Sequence, residues 1–205
     1  MNAEQTIELP GILTAQQEAR SLQRLVRRPW NVLNLYSGIG GNRKLWQNVK
    51  VTAVEINPEI AAIYKDLHPH DTVITGDAHE YLEANYRGWD FIWSSPPCQS
   101  HSKVRMMASK AGSYDAVMPS MNLWAEIIFL RHFAECPWTV ENVKPYYDVL
   151  IPPTTELHRH FFWANFWIPA NCRTFDDGLS HNERGTSEKG TFDLRKYDKI
   201  GRAHV

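Results

Sequence analysis

From residue 31 onward, short apolar runs alternate with longer stretches in which apolar residues recur at helical spacing. Runs at 32–36, 51–55 and 72–75 read as strands, as do Phe91-Ile92-Trp93 ending at Ser94 and the segment 138–141. Between them, residues 41–48, 58–67, 78–85 and 123–134 read as helices. Strands that alternate with helices make βαβ units, so the pattern predicts an α/β fold with a doubly wound, mainly parallel sheet. Upstream, Thr14 followed by Gln17 forms a capping box for a helix over 14–28, with Leu22, Leu25 and Val26 as its apolar stripe. Residues 103–120 are polar and lack periodicity, so they read as a long loop. Past Trp167 the sequence becomes charged and Gly-rich.

Composition narrows this picture. At 205 residues, one domain spanning 1–205 suffices: an extension and helix over 1–30, a core over 31–167, and a remnant over 168–205. A net charge of −1 argues against nonspecific coating of nucleic acid but leaves room for a local basic face. Cys98, Cys136 and Cys172 include no Cys-x-x-Cys pair, so neither a disulfide framework nor a metal site is expected and a reducing cytoplasm fits. No basic-then-apolar leader opens the chain and no apolar run approaches the roughly 20 residues that span a bilayer. The expectation is a cytoplasmic monomer with no membrane partner.

The candidate chemistry begins where the run Phe91-Ile92-Trp93 meets Pro96 and Pro97, which cannot continue a strand's hydrogen-bond ladder. Cys98 follows at once. A lone cysteine is more often a small buried hydrophobe, but a thiol just past the carboxyl end of a strand sits where open α/β sheets bind ligands. A second cluster follows the first strand: Gly38, Gly40 and Gly41 stand where backbone turns tightly beside a ligand. Arg43 occupies the place of the dinucleotide fingerprint's third glycine, which disfavours nicotinamide and flavin nucleotides. Glu55 after the second strand could accept from a ribose diol, and Asp77 after the third from an adenine amino group. Each is common alone as a helix-start Glu or a capping Asp. Together, after three successive strands, they point to a nucleoside-bearing cofactor.

With Gly38-Ile39-Gly40, Glu55, Asp77, Pro96-Pro97-Cys98-Gln99 and Glu141-Asn142-Val143 in this order, the chain resembles the DNA (cytosine-5)-methyltransferases over residues 31–167. The compact spacing and the continuation Lys144-Pro145-Tyr146-Tyr147 are most similar to the small bacteriophage enzymes. The resemblance implies the Rossmann-like fold of S-adenosylmethionine-dependent methyltransferases and double-stranded DNA as partner. It implies cofactor contacts from Tyr36, Gly38, Ile39, Gly40, Gly41, Glu55, Ile56, Asp77, Ala78, Pro96, Asn122 and Leu123. It makes Cys98 the nucleophile and Glu141 the acid–base group, with Arg159, in 157–166, on the target cytosine. Ser95, Pro97, Gln99, Ser100, Asn142 and Val143 would surround the substrate. A single arginine stands where the family often has two, and His158 and His160 read as surface residues at a strand start.

Elementary chemistry supports the pairing. The 5-position of cytosine is a poor nucleophile, and a thiolate adding at the 6-position pushes electron density into the ring. Negative charge then develops at N3, which calls for a protonated carboxyl in a dry pocket. A base inside a duplex hides these atoms and must be flipped out, and the polar stretch 99–120, with Lys103, Arg105 and Lys110, is the natural segment to close over DNA. Only about forty residues follow the arginine motif, so residues 168–205 are expected to be a truncated remnant of the recognition region. The last six residues can be back-translated into the start of a sequencing adapter, so they are expected to be artefactual and the natural chain longer. Two other functions fit the same motifs: this chemistry on transfer RNA, and a noncatalytic fragment that binds cofactor or DNA.

Overall fold

Leu33, Leu35, Val54, Ile92 and Val140 have essentially no exposed surface, and burying each such side chain contributes roughly 1.5–3 kcal/mol. They form the inner rows of one sheet in the computed structural model, which describes residues 28–169. The helix expected from residue 14, Cys172 and nearly all of the remnant expected over 168–205 lie outside the described residues.

In chain order the strands are β1 (Trp30–Leu35), β2 (Val49–Glu55), β3 (Thr72–Thr75), β4 (Phe91–Ser94), β5 (Trp138–Val143), β6 (Thr155–Leu157) and β7 (His160–Ala164). The α-helices are α1 (Pro58–Leu67), α2 (Ala78–Asn85), α3 (Lys103–Lys110) and α4 (Asn122–Phe133). The sheet runs β3-β2-β1-β4-β5-β7-β6, with β1 to β5 parallel and β7 antiparallel to both its neighbours. The doubly wound, mainly parallel sheet expected from the sequence is therefore present. Strand order reverses between β1 and β4, the crevice where open α/β sheets bind ligands. Pairing of Leu35 with both Val54 and Ser94, and of Ser94 with Val140, brings the exits of four strands to one line.

Local chemistry explains the helix starts. Asn57 caps α1 by accepting from the backbone N–H of Glu59 and Ile60, with Pro58 in the first turn. Asp77 caps α2 in the same way through His79 and Glu80. Leu123, Ile127 and Leu130 give α4 the stripe that packs on the sheet beside Leu82 of α2.

Two expectations are corrected. Residues 41–48 do not form a helix: only a single 3-10 turn, Asn42–Leu45, is present. The Arg43 guanidinium pairs with Asp71 at 2.8 Å and also donates to the Trp46 carbonyl, while Asn48 adopts a left-handed φ of 53°, so the turn closes. The long loop expected over 103–120 instead begins with α3. No α3 residue is buried, so no apolar periodicity marks it. Its end is nevertheless written in the sequence: Gly112, at φ 78°, donates to Ser109, and Ser113 donates to Ala108, the Schellman pattern.

Candidate active site

Every segment flagged by its chemistry leaves the sheet on the same edge. Across that edge lie the turn after β3 (Asp77), the end of β2 (Glu55), the glycine loop after β1, the Pro-Pro-Cys loop after β4, Glu141 on β5 and the start of β7. Adjacent strands are separated by about 4.8 Å, so these groups form one row.

At the glycine-loop end, Tyr36 has a left-handed φ of 54° and Gly38 one of 53°. The Gly38 N–H donates to Glu55 Oε2 at 3.0 Å, and Asn57 donates to Oε1 at 2.9 Å, so the buried Glu55 ties the glycine loop to β2. Each oxygen keeps a second lone pair. Gly40, at φ 84°, is required sterically: a Cβ there would lie 2.5 Å from His68 Nε2 and 2.8 Å from Tyr64 Cε2. Gly40→Ala is expected to cost about 2–4 kcal/mol of stability, read from the urea-unfolding midpoint; an unchanged midpoint would mean that the loop re-forms around the methyl group. Above Gly38 and Gly41 the space is open. Ile39 is half-buried, and Ser37 beside it buries its hydroxyl without a partner among the described residues. Ile56 projects with 66 % exposure directly after Glu55. Asp77 uses Oδ1 to cap α2 and leaves Oδ2 without a hydrogen bond among the described residues. Ala78 and Leu123 are buried in the core, whereas Asn122 is exposed at the start of α4.

At the other end, Trp93 Nε1 donates to Ser95 Oγ at 2.6 Å, and that hydroxyl donates to Glu141 Oε2 at 3.1 Å. Asn142 is buried and donates to the carbonyl of Pro96 at 2.8 Å, while Pro97 and Gln99 are exposed. The Cys98 carbonyl accepts from the N–H groups of His101 and Ser102. Fully buried His101 meets the Tyr147 hydroxyl at 2.6 Å, and its own carbonyl accepts from Tyr146. The Pro-Pro-Cys loop is thereby clamped to the chain that continues from β5. Cys98 itself is half-buried; burial pushes its thiol up from the ordinary range, and Glu141's negative charge adds to the rise. His160 Nε2 lies 3.5 Å from Glu141 Oε1. Arg159 is exposed in the tight turn between β6 and β7, its carbonyl accepting from Lys144, and Val143 pairs with His160.

A cleft of about 240 Å³ opens beside this loop, lined by Gln99, Ser100, Arg105, Lys110 and Tyr146 among others. The larger cleft, about 350 Å³, lies at the opposite, amino edge of the sheet among Trp30, Trp46 and Phe91, away from all of these groups. Three contributors escaped the sequence reading. His101 and His160 gave no signal beyond their residue type. Glu126 did: it is the one charged residue on the apolar stripe of α4.

This sheet order, with its reversed last strand and its glycine loop at the switch point, defines the Rossmann-like fold of the S-adenosylmethionine-dependent methyltransferases. The model of the C-5 cytosine-specific DNA methylases matches residues 30–145, and the chain belongs to that family, whose methyl donor is S-adenosylmethionine. No curated protein sequence matches it. Among solved structures, an S-adenosylmethionine-dependent methyltransferase from Agrobacterium tumefaciens is 16 % identical, with 63 % of this chain and 44 % of that chain covered and a TM-score of 0.43. A conserved hypothetical protein of Streptococcus pyogenes is 14 % identical, with 71 % and 94 % covered and a TM-score of 0.40. A methyltransferase of Entamoeba histolytica is 20 % identical, with 57 % and 39 % covered and a TM-score of 0.36. The chain thus spans less than half the length of the first and third of these. Among the described residues no helix is long and apolar enough to cross a membrane, and no group of three His, Cys, Asp or Glu side chains could hold a metal ion.

Proposed function

We propose that the chain transfers a methyl group from S-adenosylmethionine to the 5-position of a flipped-out cytosine in double-stranded DNA, through a covalent adduct with Cys98. The observation that carries this reading is the register that pairs Ser94 with Val140, which sets the Pro-Pro-Cys loop beside Glu141 and lets Ser95 Oγ donate to Glu141 Oε2 at 3.1 Å; the Glu141 charge accordingly adds to the rise of the Cys98 thiol. Such a pair reacts best with its proton moved: Cys98 as thiolate, Glu141 as acid. A proton on Glu141 removes the negative charge that holds Cys98 back, so arming the acid also arms the nucleophile.

The cofactor fits the opposite end of the row. Open space over Gly38 and Gly41, the orphaned Ser37 hydroxyl, spare acceptor capacity on Glu55 and Asp77 Oδ2, and the exposed Ile56 suit a nucleoside with a charged tail. Tyr36, Ile39 and Gly40 shape the loop for the methionine end, with Pro96 across the crevice. Ala78 and Leu123 act by packing, and Asn122 can reach from the start of α4. When bound, S-adenosylmethionine supplies an electrophilic methyl group.

The protein's own part is then as follows. The Cys98 sulfur bonds to C6, the ring's displaced electron pair moves towards C5 and N3, and Glu141 gives its proton to N3. After the methyl group is in place N3 returns its proton to Glu141, solvent water takes the C5 proton, the C5–H electron pair forms the C5–C6 double bond, the sulfur–C6 bond breaks and Cys98 departs as thiolate. Ser95 keeps Glu141 oriented and Asn142 fixes the carbonyl of Pro96; in this reading Arg159 and Val143 receive the base. Closure over DNA falls to the segment 99–120 that includes α3, with Gln99, Ser100, Lys103, Arg105 and Lys110 on its phosphates and Pro97 against the base. Val104 and Met118, 75 % and 87 % exposed on this segment, form apolar surface in want of a partner. The cytoplasm of a bacterial host supplies both substrates, and the bacteriophage setting stays part of this proposal.

The test is trapping. With S-adenosylmethionine and duplex DNA carrying 5-fluorocytosine, a denaturation-resistant protein–DNA adduct is expected, because fluorine cannot leave as a cation. A folded chain that yields an adduct only with fluorinated RNA would transfer the reading to RNA. Cofactor binding without any adduct would leave a noncatalytic binding domain.

A further inference from the structure

Glu126 is fully buried on a helix face otherwise made of Leu123, Trp124, Ile127 and Leu130, and burying a carboxylate is costly unless its oxygens are bonded. Its oxygens collect three side chains from three separate segments. The Tyr36 hydroxyl donates to Oε1. His79 Nδ1 lies 3.1 Å from the same oxygen. Ser94 donates to Oε2 at 2.6 Å. Tyr36 opens the glycine loop in its left-handed conformation, His79 stands in the first turn of the helix that Asp77 caps, and Ser94 is the last residue of β4 before Ser95 and the Pro-Pro-Cys loop. One carboxylate therefore reaches both walls of the crevice between β1 and β4, and the turn beside them.

We propose that Glu126 is a positioning residue that locks the glycine loop, the Asp77 turn and the strand end bearing the nucleophile loop into one cofactor-competent arrangement, and that His79 makes this lock weaken as pH rises. The inference rests on the methyl-transfer reading above.

The titratable groups around His79 set the sign. Its hydrogen bond to Glu126 raises its pKa above the ordinary histidine value against the opposing effect of burial; the charges of Glu126, Asp77 and Glu83 raise it further. Tyr36, the other group on Oε1, is pushed far above the usual tyrosine range by burial and then by Glu126, so it remains a donor throughout. His79 is the switch: the Glu126 hydrogen bond moves its charge change upward from the ordinary histidine value. The imidazolium–carboxylate pair is complete below the raised pKa and is lost as pH rises through it. Above that pH, Glu126 keeps its hydroxyl partners but loses its counter-charge, and Tyr36 and the glycine loop are held less firmly.

The experiment is calorimetric titration of the full chain with S-adenosylhomocysteine, which binds without reacting, alongside circular dichroism. Glu126→Gln is expected to weaken binding about tenfold and Tyr36→Phe about fivefold, with the double variant little worse than Glu126→Gln alone. Wild-type affinity is expected to fall as pH rises above the ordinary histidine value of 6.5 and through the raised one, and His79→Asn to flatten that fall. A merely structural glutamate would lower the melting temperature without giving cofactor affinity this pH dependence. Should Glu126→Gln fail to fold, the partly exposed Tyr36 and His79 variants decide the matter. Parallel pH curves for wild type and His79→Asn, or undiminished affinity in Glu126→Gln, overturn the lock and leave the methyl-transfer reading standing. A folded wild-type chain with no affinity at any pH overturns both.

Discussion

Cys98→Ala is expected to reduce methyl transfer by a factor on the order of 10⁴ or more, with an unchanged unfolding midpoint. The loss follows from chemistry: without a covalent bond at C6, the 5-position has no means of becoming nucleophilic. Stability should survive because the loop is held by backbone and by neighbours that alanine keeps. The Cys98 carbonyl accepts from His101 and Ser102, Pro96 is tied to Asn142, and the half-buried thiol is not part of the hydrophobic core. Tritium transfer from labelled S-adenosylmethionine to duplex DNA reads the activity. A variant within tenfold of wild type would remove Cys98 from the mechanism.

Glu141→Gln is expected to lower kcat by about 10²–10⁴-fold with little change in S-adenosylhomocysteine affinity. The amide can still accept from Ser95 Oγ but cannot deliver a proton to N3. The substitution carries a second, opposite signature. Burial and then the Glu141 charge hold the Cys98 thiol above its ordinary range, so the neutral amide should bring it down. Alkylation of Cys98 by iodoacetamide at a fixed, mildly alkaline pH should therefore be faster in Glu141→Gln than in wild type, though turnover is slower. Equal alkylation rates would mean that the two groups are not coupled, and the paired-proton scheme would have to be abandoned.

Much of this protein is legible before folding because its strongest signals are local. Helices α1 and α2 are found at the expected residues since capping by Asn57 and Asp77, and Pro58 in the first turn, act over three or four positions. The apolar runs place β1 to β5 within about two residues, because strands buried on both faces need no alternation to be recognised. The same locality accounts for the misses. Helix α3 has no fully buried residue and a polar sequence, so no core-facing run marks it, and its stop signal, Gly112, stands only past its far end. The helix expected over 41–48 gave way to one turn because Arg43 pairs with Asp71, a residue 28 positions away that no local window contains.

The candidate site divides along the same boundary. Sequence by itself determined which chemistry is available: a cysteine after two prolines, a glutamate ending a strand, a glycine loop and two acids after successive strands. It also fixed that these groups would share one edge, since parallel strands joined by helices all exit on the same side. How they meet depends on packing between segments far apart in the chain. Antiparallel docking of β7 brings His160 to Glu141, the link through Ser95 orients that carboxylate, and the shared carboxylate of Glu126 joins loops 58 residues apart in the chain, those of Tyr36 and Ser94. The physical reason is range. Caps, turns and periodicity are set by neighbours in sequence, whereas a buried charge acquires its partners only when distant segments pack around it.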